Sequence, residues 1–249
     1  MSKTFEALQK AEKERSKSTK AKVFSDVDLP AKGKNIHKLK VSTWINEEYS
    51  RVKHHLHSLK IPDEIKTILF TSSKPEEGTS TVLFNFALNI ANDGDPVIII
   101  DSNLRTPVIH DFAALDKENG LSDLLTGNIS LGQALKKTEI KNLEIITCGS
   151  LGANPSHLLS SDLIPKLIEK LRNRADWILF DSPPIHVYND SCILAEKMDG
   201  VILVVQAEKT KWEVALSAKE KINKTNSRLL GAILNKKQMH IPNWLYNLI

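Results

Sequence analysis

Apolar residues along this chain fall into short runs that do not alternate with polar ones. Thr67 to Thr71, Pro96 to Asp101, Leu143 to Thr147, Trp177 to Asp181, Gly200 to Val205 and Leu229 to Leu234 each carry such a run. Strands of this kind are buried on both faces, which predicts a mostly parallel sheet with helices on either side. Helical periods fill the gaps, near Ser80 to Asn92, Ser122 to Leu125, Leu163 to Asn173, Asp190 to Lys197 and Trp212 to Asn223. The pattern is that of an α/β fold, in which ligands sit at the carboxyl ends of the strands.

The first sixty residues read differently. Phe5, Leu8 and Ala11 recur every third position among charges and predict a short amphipathic helix, too short to stand alone. Residues 17–40, rich in Lys and Ser with Pro30 and Gly33, read as a linker. A second helix is expected over "STWINEEYSRVKHHLHSL", capped by Ser42 or Thr43 and ending before Pro62. The division is therefore a basic arm over residues 1–40 and an α/β domain over residues 41–249.

Charge sharpens that division. Residues 1–60 hold 14 Lys and Arg against 7 Asp and Glu, whereas the remainder holds 20 against 23, so the net +4 of the whole chain belongs to the arm. An arm of this sign suits an anionic membrane surface, nucleic acid or an acidic partner, and equally a solubilising tail. No apolar run approaches the length needed to cross a bilayer and the start lacks the apolar centre of a secretion signal, so a cytoplasmic protein is expected. Cys148 and Cys192 stand in no metal-ligand spacing and read as buried thiols. The triplet His54, His55 and His57 reads as a solvated helix face.

Three strand ends carry the candidate chemistry. After the first strand comes "SKPEEGTST", Ser73 to Thr81, which follows the phosphate-loop pattern G-x-x-x-x-G-K-[ST] at Gly78 and Ser80 but has Ser73 for the first glycine and Thr79 for the lysine. Asp181 ends "WILFD" and suits the shell of a phosphate-bound Mg²⁺, with Ser80 as the second metal-side ligand. Asp101 ends "VIIID", where a carboxylate could orient an attacking hydroxyl. One aspartate at a strand tip is commonplace; two in this order after a glycine loop point to a nucleotide site.

With these motifs the chain resembles the bacterial tyrosine kinases of capsule and exopolysaccharide systems, relatives of the MinD and ParA type P-loop ATPases. "PEEGTST" aligns with the family's P-G-E-G-K-S-T, "IDSNLRTP" with I-D-A-D-L-R-R-P, and "FDSPP" with I-D-T-P-P; "GLSDLLTG", "NPSHLLSS", "MDGVILVV" and the ending "GAILNKKQMHIPNWLY" extend the match. The resemblance implies a three-layer P-loop NTPase fold, a mostly parallel central sheet flanked by helices. It also implies ATP and Mg²⁺ as cofactors, Asp101 and Asp181 as catalytic residues, and a cofactor-binding set of Gly78, Thr79, Ser80, Thr81, Lys74, Arg105 and Asn235.

Three departures act against the family reaction. Glu76 stands for a glycine, Thr79 for the lysine and Asn103 for the second aspartate. Loss of a single preorganised contact to a transition state costs on the order of 10² to 10³ in rate. The expectation is a catalytically impaired regulator or scaffold that partners a membrane chain-length determinant protein, or a homo-oligomer or hetero-oligomer with an active kinase. The basic arm offers a peripheral membrane contact, and nucleic acid is not an expected partner. Lys74 is the position from which MinD-like relatives reach a partner's nucleotide. Family rings assemble through E-x-x-R-x-x-R, for which this chain offers Glu48, Arg51 and His54. The alternatives are an active ATP-dependent tyrosine autokinase, for which Tyr246 is the only tyrosine near the end, and a positioning ATPase of the ParA or MinD type.

Overall fold

A computed structural model describes residues 23–24, 43–59, 66–150 and 154–237. The strands among them are β1 (Val23–Phe24), β2 (Thr67–Ser72), β3 (Val97–Asp101), β4 (Leu135–Lys137), β5 (Leu143–Ile146), β6 (Trp177–Asp181), β7 (Gly200–Gln206) and β8 (Leu229–Asn235). They form one sheet in the order β1-β8-β7-β2-β6-β3-β5-β4, parallel throughout except where β4 runs antiparallel to β5. The chain passes from β2 to β3 over the position that β6 later fills, and from β6 back across β2 to β7. The tip of β2 therefore lies at the centre of the sheet, flanked by the tips of β6 and β7.

β2, β3, β6 and β7 are buried on both faces, as their sequences require, whereas β8, expected to be buried likewise, exposes Gly231 and Ala232 because its outer neighbour β1 pairs only with its end. Ile98 and Ile100 of β3 join Leu69, Phe180 and Leu203 in one apolar layer, while Val97 and Ile99 join Ile68, Phe70, Leu179 and Ile202 in the other. The first layer is covered by α6 (Pro155–Ser160), α7 (Leu163–Arg172), α8 (Asp190–Ala195) and α9 (Trp212–Asn223). The second is covered by α1 (Thr43–Ser58), α2 (Thr79–Asn92) and α3 (Ile109–Ala113). The α2 helix is apolar almost all round because α1 lies over it: Tyr49 packs on Phe86, and the Asn89 amide donates to the Asn46 carbonyl at 3.2 Å. Two further short helices, α4 (Leu121–Leu125) and α5 (Leu131–Ala134), precede β4.

All six expected strands form, within one residue at each end, as do the expected helices apart from small trims. Missing from the sequence reading are β4, whose "LKK" is too short and basic to register, and α3, α5 and α6. The last of these had a readable start, since Asn154 caps it by accepting from the Ser156 amide and Pro155 occupies the first turn. One correction concerns the linker: Val23 and Phe24, inside residues 17–40, pair in parallel with Leu234 and Asn235 of β8. The amphipathic helix expected over residues 3–16 and Tyr246 lie outside the described residues. His54, His55 and His57 are all exposed, as a solvated helix face demands.

Candidate nucleotide site

The loop from Ser73 to Gly78 joins β2 to α2, with Gly78 as the helix N-cap. Gly78 has φ +88°, and a Cβ there would lie 2.3 Å from Nδ2 of Asn235, so both the backbone and the space demand glycine. Glu76 has φ +64°, in the left-handed region where the resemblance expects a glycine. Holding a residue with a Cβ in that region costs about 1 kcal/mol or more.

What holds the loop in this conformation is a residue that sequence reasoning passed over. The buried Glu77 carboxylate accepts from the Ser73 amide at 2.7 Å, the Ser73 hydroxyl at 2.8 Å and the Lys74 amide at 2.9 Å. It also accepts from the Gln206 amide at the end of β7, at 3.4 Å, and from the Thr210 hydroxyl. From the tip of β8, Asn235 Nδ2 donates to the Glu77 carbonyl at 2.8 Å and Lys236 Nζ donates to the Glu76 carbonyl at 2.7 Å. Gln206 and Thr210, which tie Glu77 to the far side of the sheet, lie more than a hundred residues downstream, so no local pattern announces them. Asn235, named above as cofactor-binding, spends its amide on the loop backbone.

The first helical bond of α2 runs from the Val82 amide to the Gly78 carbonyl, at 2.9 Å, so the amides of Thr79, Ser80 and Thr81 precede the ladder. Such amides, with the positive end of the helix dipole, favour an anion. Thr79 occupies the lysine position, is itself buried and brings no charge. Lys74 is exposed.

At the metal side, the Ser80 hydroxyl donates to Asp181 Oδ2 at 2.6 Å. Asp181 and Asp101 are fully buried at the tips of adjacent strands, and Oδ1 of each has no hydrogen-bond partner among the described residues. Burial pushes the Asp181 carboxyl up to about 7, against the Ser80 hydroxyl and the Ser182 amide. Burial, and then the neighbouring Asp181 charge, push Asp101 well above the usual carboxylate range, against the Ile109 amide. The orphaned Asp181 oxygen beside the Ser80 hydroxyl suits a hard cation, so Ser80 and Asp181 fit Mg²⁺. The residues around the loop fit a triphosphate less well, because the position of the expected ammonium holds a hydroxyl.

Asn103 and Arg105 work elsewhere. Asn103 Oδ1 accepts from the Thr106 amide at 3.2 Å and closes the turn after β3. Arg105, also named as cofactor-binding, donates through Nε to Asp190 Oδ2 at 2.9 Å and through Nη2 to the Ser156 hydroxyl at 3.1 Å, with its guanidinium 4.6 Å from the Tyr188 ring centroid. It thereby ties the loop after β3 to α6 and α8. Glu48 and Arg51 form an ion pair one turn apart on α1, and His54 follows on the exposed side of the same helix.

The family model of an AAA domain matches residues 65–235. The tyrosine-protein kinase YwqD of Bacillus subtilis (strain 168) is 34% identical over 194 residues, spanning 78% of this chain and 82% of the relative. Among solved structures, the chimerical protein CapA2B2 superposes with a TM-score of 0.81 at 25% identity, covering 92% of this chain and 100% of that one. The Pyrococcus furiosus cell division ATPase MinD shares the fold, with a TM-score of 0.60 at 23% identity over 72% of this chain and 76% of that one. The strand order, the loop at the β2 tip and this extent of identity agree: the chain belongs to the bacterial tyrosine-protein kinase family, on the P-loop ATPase fold that it shares with MinD.

Proposed function

We propose that this protein is a catalytically impaired tyrosine-kinase homologue of a capsular or exopolysaccharide system, acting by binding to a membrane chain-length determinant protein or to an active kinase. The observation that carries the reading is the loop itself. Its shape is kept by Glu77, Asn235 and Lys236 from within the chain, while Glu76 sits at a positive φ and Thr79 replaces the ammonium. A scaffold so well held around a site short of charge suits recognition better than phosphoryl transfer. Among the described residues no helix is long and apolar enough to cross a membrane, so membrane attachment would come through a partner or the basic arm. In this reading Ser80 and Asp181 would hold Mg²⁺ and the amides at the start of α2 would meet phosphate oxygens.

Calorimetric titration with Mg-ATP tests it. Weak or absent binding, with no turnover, is expected; tight binding with phosphate transfer to Tyr246 would overturn it. One observation favours the second reading, an active autokinase: Lys236 places an ammonium on the carbonyl of Glu76, beside the loop, from where it could supply the missing charge. Loss of Mg-ATP binding in Lys236→Ala would establish that substitution.

A further inference from the structure

Three side chains of different chemistry meet beside the nucleotide face. Asp101 ends β3, Cys148 lies just past the end of β5, the strand paired with β3 on the side away from β6, and His110 stands in the first turn of α3. A carboxylate oxygen, an imidazole nitrogen and the thiol sulfur all lie within 4.8 Å of one another. Asp101 and Cys148 are fully buried, Cys148 is a free thiol, and His110 is partly buried. No ligand spacing announces this group, because its members come from three separate parts of the chain.

We propose that Asp101, His110 and Cys148 form a binding site for a single zinc-type divalent cation. The donor set decides the metal: a thiolate and an imidazole beside one carboxylate select a borderline ion over Mg²⁺, which takes oxygen ligands. Three protein ligands leave a fourth position for water. Beyond the closeness of the three side chains, one observation points to a ligand here. Asp101 Oδ1 is buried without a hydrogen-bond partner among the described residues, its other oxygen accepting from the Ile109 amide at 3.3 Å.

Zinc–ligand bonds of about 2.0 to 2.3 Å require donor atoms roughly 3.5 Å apart, so the group has to close by about an ångström. His110, on a five-residue helix at the rim, is the member placed to move. Binding releases the thiol proton to solvent and sets a positive charge against two buried carboxylates that otherwise repel. The rival reading is a cysteine that merely fills the apolar layer it shares with Ile100 and Ile146. The proposal goes beyond the function proposed above and stands whether or not ATP binds.

The reduced, metal-free full chain is titrated with Co²⁺ and then back-titrated with Zn²⁺. One Co²⁺ per chain is expected, with a thiolate-to-cobalt charge-transfer band that Cys148→Ser abolishes, that Cys192→Ser leaves intact and that survives joint replacement of His54, His55 and His57 by Ala. His110→Gln, at the rim, should weaken Zn²⁺ binding about 10-fold or more with an unchanged melting temperature of the metal-free protein. Should Cys148→Ser fail to fold, the histidine variants decide. A missing band, a band retained in Cys148→Ser, affinity unmoved by His110→Gln or binding lost with the α1 histidines would each overturn the site.

Discussion

Asp101 and Asp181 are register partners across β3 and β6, so two fully buried carboxyl groups stand side by side at the strand tips. The backbone fixes this juxtaposition, since both residues close strands whose pairing runs without a break from Val97 opposite Trp177. Two ionised carboxylates there repel with little water to screen them, and one of the pair takes up a proton more readily than an exposed acid would.

Stability should therefore fall as pH rises. A carboxyl whose folded pKa is raised, here from 3.8 to about 7, binds its proton more tightly in the folded state, so its contribution is complete below pH 3.8 and is lost as pH climbs to about 7. Asp181→Asn should remove this loss, raising stability at pH 8 by on the order of 2 kcal/mol and leaving it nearly unchanged at pH 4. Thermal melts of both proteins from pH 4 to 8, without divalent cations, check it; parallel curves would show that the carboxyl is not strained.

Glu77 should matter more to folding than its loop position suggests. Its carboxylate gathers donors from the loop, from the end of β7 and from Thr210. Glu77→Ala would strand several buried donors at once and should cost about 3 kcal/mol in urea denaturation, whereas Glu77→Gln, which keeps acceptor capacity on one atom, should cost about half as much. A loss below about 0.5 kcal/mol for the alanine variant would mean that the loop is held by Asn235 and Lys236 alone.

Much of this was legible in the sequence. Six unalternating apolar runs pointed to a mostly parallel sheet, and the glycine of the family pattern that Glu76 replaces marks a position that is found at φ +64°. The strand order was not legible, because the insertion of β6 between β2 and β3 depends on pairing between segments far apart in sequence, such as Thr67 with Ile178 and Val97 with Trp177. Nor were the bonds of Glu77 to Gln206 and Thr210, the ties of Arg105 to Asp190 and Ser156, or the meeting of His110 with Cys148, all of which arise between elements and carry no local spacing.

Arg105 should prove to be a fastener. Its partner Asp190 is buried, with the side chain only 1% exposed, and Ser156 and Tyr188 complete the guanidinium's surroundings. Arg105→Ala leaves that carboxylate uncompensated and should destabilise the fold by about 2 to 3 kcal/mol. Arg105→Lys keeps the charge but cannot serve Asp190 and Ser156 together, and should recover only part of the loss. Chemical denaturation of the three proteins ranks them; equal stability of the alanine variant and the native protein would free Arg105 for a role toward nucleotide.

Restoring the loop separates shape from charge. Glu76→Gly relieves a residue at φ +64° and should stabilise the chain by roughly 0.5 to 1 kcal/mol while leaving the missing ammonium missing, so Mg-ATP affinity should change little. Thr79→Lys returns the charge at the start of α2 and should tighten Mg-ATP about 10- to 100-fold, the worth of one charge-assisted contact. Because the two changes sit three residues apart in one loop, the double variant should exceed the product of the singles if Glu76 repels the phosphates as well as straining the backbone. Isothermal titration of the four proteins at one ionic strength completes the cycle. If Thr79→Lys binds no better than the native chain, the deficit lies in the loop's conformation, and the charge at position 79 is not what silences the site.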